Sequence, residues 1–72
     1  MSAAPAIWPG KDGEPVSCRE KIRVLEENHA ELAQMLRDAL EDAVLMGVDE
    51  AAMRAILAEL VATLPGPGQG GK

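Results

Sequence analysis

Glu26 and His29 stand three residues apart in the run Glu26-Glu27-Asn28-His29. On a helix that spacing puts a carboxylate and an imidazole on one face, the arrangement with which helical bundles hold metal ions. One chain offers only this pair. A complete site needs two copies to bring two such pairs together, with Glu31 as a further carboxylate. His29 also has a plainer role: a polar residue at one core position of a helical seam sets register at some cost in stability.

Cys18 is the sole cysteine, so no disulfide can form within the chain. In the first turn of a helix, and close to Arg19 and Lys21, a thiol titrates low and its reactive thiolate is favoured. A small residue is equally at home at the head of a helical seam. Ser17 and Thr63 have no base and orienting group to make either a nucleophile, and a single hairpin offers no deep pocket. The chain is therefore read as non-enzymatic, with no cofactor. Trp8 is the only aromatic residue. In the setting Trp8-Pro9-Gly10 it is either an anchor for a partner's pocket or a cover for its own helix.

The elements that position these residues are helices. Ser17-Cys18-Arg19-Glu20 has the S-x-x-E form of a capping box, in which Ser17 accepts from the Glu20 amide and Glu20 reaches back. Nothing after it breaks a helix until Gly47, which suits the left-handed position just past a helix end. That predicts a first helix of about 29 residues, roughly 43 Å long. Asp49 is a good N-cap for a second helix, Glu50 complements its dipole, and Val48 and Met53 occupy the two positions of a hydrophobic staple. Pro65 ends this helix near Leu64. So short a link between helices makes them antiparallel neighbours.

Residues 1–16 hold Pro5, Pro9, Gly10, Gly13 and Pro15 and read as a flexible arm. Residues 65–72 offer almost no side chain to bury and read as a disordered tail. The domain plan is thus arm 1–16, helical hairpin 17–64 and tail 65–72.

Along the first helix Cys18, Ile22, Leu25, His29, Leu32, Leu36, Ala39, Ala43 and Met46 follow at alternating four- and three-residue steps, a heptad seam of the coiled-coil kind. On the second, Met53, Ile56, Leu57, Leu60, Val61 and Leu64 form a broad stripe. The second helix is about half as long, so it covers only the stretch from about Leu32 to Met46. Cys18, Ile22, Leu25 and His29 are left for another cover. That cover is the arm through Ile7 and Trp8, a second chain in a two-fold four-helix dimer, or an unrelated protein. The outward face carries Arg23, Glu27, Arg37, Glu41, Glu50 and Arg54 as helical i,i+4 pairs, worth little each.

Composition narrows the function. Seven basic against twelve acidic residues leave a net charge of −5, the wrong sign for neutralising phosphates, so nucleic acid is excluded as a partner. No apolar run reaches the roughly 18 residues needed to span a bilayer, and Met1-Ser2-Ala3-Ala4-Pro5 lacks a basic, apolar signal segment. A cytoplasmic protein without a membrane partner is expected. A scaffold this small gains stability from a disulfide, a metal or association, and with one cysteine association is favoured. The expected protein is all-α: an antiparallel hairpin, assembling as a homodimer, that acts as a small interaction module (adaptor, assembly factor or regulator). Its contacts are Trp8, Cys18, Ile22, Leu25, His29 and Leu32. The alternative is a metal-binding bundle assembled from two chains through Glu26 and His29.

Overall fold

The structure is a computed structural model that describes residues 4–67. Among these residues there are two helices, α1 (Arg19–Leu45) and α2 (Glu50–Ala62), and no strand. They form a helical hairpin with one long and one short arm, 27 and 13 residues. The chain divides into two compact units, Met1–Met35 and Leu36–Lys72, and α1 runs through both.

The start of α1 departs from the capping box by one residue. The Ile22 amide donates to the Cys18 carbonyl at 3.0 Å, so Cys18, not Ser17, holds the N-cap position. The Lys21 and Glu20 amides, first-turn donors that a helix start leaves open, act on the Cys18 sulfur and lower its pKa.

The other end of α1 follows the expectation. Gly47 has φ 101°, a conformation in which any Cβ is strained. The Gly47 amide donates to the Val44 carbonyl (3.0 Å) and the Val48 amide to the Ala43 carbonyl (2.9 Å). These two bonds are the Schellman pattern, and they satisfy carbonyls that the helix would otherwise leave bare. Two residues on, the Asp49 carboxylate accepts from the Ala52 amide at 2.9 Å and starts α2. Glu50 lies in the first turn and is bonded by Arg54 at 3.0 Å. At the far end Thr63 caps α2, its hydroxyl donating to the Glu59 carbonyl at 2.9 Å, ahead of Pro65.

Within the second unit Ala43 is buried and Ala39, Leu40, Met53 and Leu57 are half-buried; these side chains make the seam of the hairpin. Ala43 is the one buried hydrophobic residue among those described. The expected cover does not extend to either limit of the stretch from Leu32 to Met46, because Leu32 is 56% and Met46 80% exposed. Met46 follows the last residue of α1 and belongs to the turn. The tail expected at 65–72 lies for the most part outside the described residues.

Candidate functional site

The arm has hydrogen-bonded structure of its own. The Val16 amide donates to the Trp8 carbonyl at 2.8 Å and the Gly10 amide to the Glu14 carbonyl at 3.0 Å, and Pro9 and Pro15 form an isolated antiparallel bridge. At the tip the Asp12 carboxylate accepts from the Glu14 amide at 3.1 Å, a local bond typical of aspartate in turns. A Cβ at Gly10 would run into the Glu14 carbonyl oxygen, so the close approach of the two limbs depends on a glycine there.

This closed turn sets Trp8 and Val16 side by side, both half-buried. Trp8 meets His29 of α1 edge to face, with ring centroids 6.3 Å apart and planes at 77°, a favourable geometry for aromatic rings. Ile22, Leu25 and His29, one row of α1 at three- and four-residue spacing, are all half-buried. Of the covers considered for this row, the structure shows the chain's own arm in contact at His29. The contact is made by Trp8, while Ile7 is 64% exposed. Trp8 Nε1 is buried and has no hydrogen-bond partner, although a buried indole N–H usually has one.

Beside the turn lies an open apolar groove of about 440 Å³, lined by Val16, Val24 and Leu25 and by the side chains of Glu20 and Lys21. Val16 and Val24 are absent from the heptad reading. Val24 lies off the seam at three- and four-residue spacing, and Val16 precedes the helix; the only signal in the sequence was an apolar residue directly before the cap.

The expected contact residues therefore divide. Trp8, Ile22, Leu25 and His29 fall in one half-buried group, whereas Cys18 and Leu32 are exposed. The Cys18 thiol is held below its ordinary pKa, first by the Lys21 amide, then by the Glu20 amide, with a smaller attraction from the Lys21 charge. Glu26 is exposed, and His29 turns its ring to Trp8. Among the described residues no group of three or more His, Cys, Asp and Glu side chains is placed to hold a metal ion. The two-chain metal reading thus gains no third ligand from within one chain. Outside this region the Arg23–Glu27 pair forms at 3.6 Å with both side chains exposed.

Among the described residues no helix is long and apolar enough to cross a membrane. No family model, curated protein or solved structure matches the chain.

Proposed function

We propose that this chain is a small, non-enzymatic protein-interaction module, an adaptor, assembly factor or regulator, that works through the apolar seam of α1. The observation that supports the reading is the near absence of buried side chains. Ala43 alone is buried among the described hydrophobic residues, while the large apolar seam residues Leu32 and Leu36 of α1 stand 56% and 39% exposed. Contiguous apolar surface of this kind on a small protein marks an interaction site. The Trp8 turn occupies part of the seam in the free chain, and the orphaned indole N–H gives a partner that reaches Trp8 a donor to satisfy.

The test is affinity capture with wild-type chain and with Leu32→Glu, which places a charge at an exposed seam position without disturbing the Trp8–His29 contact. A protein retained by the wild type and lost with Leu32→Glu, helicity being equal, is the expected result. Equal retention by both would overturn the role of the seam.

A further inference from the structure

We infer that the turn of residues 8–16 is a strap: it lifts from α1 while the helix stays formed, and when seated it withholds the Ile22–Leu25–His29 row from a partner. The inference rests on the interaction-module reading and adds a regulatory step to it.

The bonds that close the turn leave it free to move. Val16 to Trp8, Gly10 to Glu14, Gly13 to Gly10 and Glu14 to Asp12 all join residues of the turn itself. The helical bonds of α1 begin beyond it, with the Ile22 amide on the Cys18 carbonyl. Raising the turn therefore breaks none of these bonds. Exposed Ser17 is the one residue between Val16 of the turn and Cys18 at the N-cap. Such an element-terminal position is where backbone rotation can swing the turn aside.

Side-chain contact holds the turn down, and that contact is incomplete. Trp8 meets His29 ring to ring, and on the other limb Val16 lines one groove with Leu25, so both limbs lie against the same row of α1. Trp8, Val16, Ile22, Leu25 and His29 nevertheless stay only half-buried. The groove of about 440 Å³ is space that the turn leaves unfilled. The seated position also strands the indole N–H, which is buried without an acceptor. Water satisfies that donor once the turn is raised, so hydrogen bonding favours the raised state while the ring and apolar contacts favour the seated one. A segment with few buried apolar contacts belongs to the low-stability end of a fold and opens without global unfolding.

Lifting bares Ile22, Leu25 and His29 in one movement, together with the indole donor. A partner that takes this row binds only chains whose turn is raised, and its apparent affinity falls in proportion to their fraction.

Hydrogen exchange of the full chain, followed by nuclear magnetic resonance, tests the motion. The Trp8 indole N–H should be protected at least about ten-fold less than the Leu25 and His29 backbone amides, which open only when α1 does. Indole protection equal to theirs or greater overturns the strap. Access to the row is read at the single histidine. Diethyl pyrocarbonate should modify His29 faster in Trp8→Ala than in the wild type, with equal helicity by circular dichroism; equal rates would show that the turn withholds nothing. Should Trp8→Ala fail to fold, Gly10→Ala replaces it, since its Cβ would run into the Glu14 carbonyl oxygen and open the turn. Neither readout uses a partner, so equal capture by wild type and Leu32→Glu removes the module reading and leaves the strap to be judged on exchange and modification alone.

Discussion

Trp8 and His29 meet edge to face at 6.3 Å, and the indole Nε1 at that contact is buried without a partner. The pairing fastens the turn of residues 8–16 to α1. It combines a favourable ring contact with an unsatisfied donor, and the two act in opposite directions on stability.

His29→Ala should therefore cost about 1 kcal/mol, the usual worth of an aromatic pair. Trp8→Ala should cost more, because apolar area is lost as well. Trp8→Phe should cost less than Trp8→Ala, because phenylalanine keeps a ring at the contact and has no N–H to strand. Urea denaturation followed by circular dichroism ranks the three. Equal stability of Trp8→Ala and wild type would show that the turn contributes nothing to holding α1.

Gly47→Ala puts a side chain at φ 101° and should destabilise the hairpin by about 1–2 kcal/mol. For a domain of this size each kcal/mol lowers the thermal midpoint by about 4–8 °C. Unchanged melting would mean that the Schellman turn does not hold the reversal.

Asp49→Ala removes the acceptor of the Ala52 amide and should cost about 1 kcal/mol, with Asp49→Asn retaining most of the capping. The same melts test both. Arg54→Ala, which removes an exposed pair with Glu50, should change stability by less than about 0.5 kcal/mol.

The lowered pKa of Cys18 makes helix stability depend on pH. A thiol whose folded pKa lies below its unfolded value favours the folded state fully once pH exceeds the unfolded value, about 8.5. That contribution disappears as pH falls through the folded value. Thermal melts should thus rise with pH across this window in the wild type and stay flat in Cys18→Ser. Alkylation by iodoacetamide should reach half its maximal rate at a lower pH than in the urea-unfolded chain. Coincident profiles would show that the Lys21 and Glu20 amides do not hold the thiolate.

The reversal between the helices is the most legible part of this sequence. Gly47 and Asp49 each have one strong backbone preference, and each acts where that preference places it, while α2 ends at Ala62, two residues before the Leu64 that Pro65 suggested. The start of α1 was less legible, since Ser17 and Cys18 are adjacent and either side chain can face the first-turn amides. For the arm, proline and glycine density announces turns without saying which ones close. Its closure rests on backbone bonds, Val16 to Trp8 and Gly10 to Glu14, that no residue type specifies. The place where it meets α1 is a tertiary choice made by Trp8 and His29. The seam residues Ile22 and Leu25 were readable from spacing, whereas the exposure of Leu32 and Met46 depended on how far α2 covers α1.

A chain with one tryptophan and no tyrosine or phenylalanine draws its whole near-ultraviolet signal from the arm. Because that single ring touches His29, its fluorescence is a native reporter of whether the turn is seated on the helix. Lifting the turn moves the indole from a half-buried setting into water and shifts its emission to longer wavelength, while far-ultraviolet dichroism follows the helices separately. Arm and hairpin can thus be followed independently, in one cuvette and without a label.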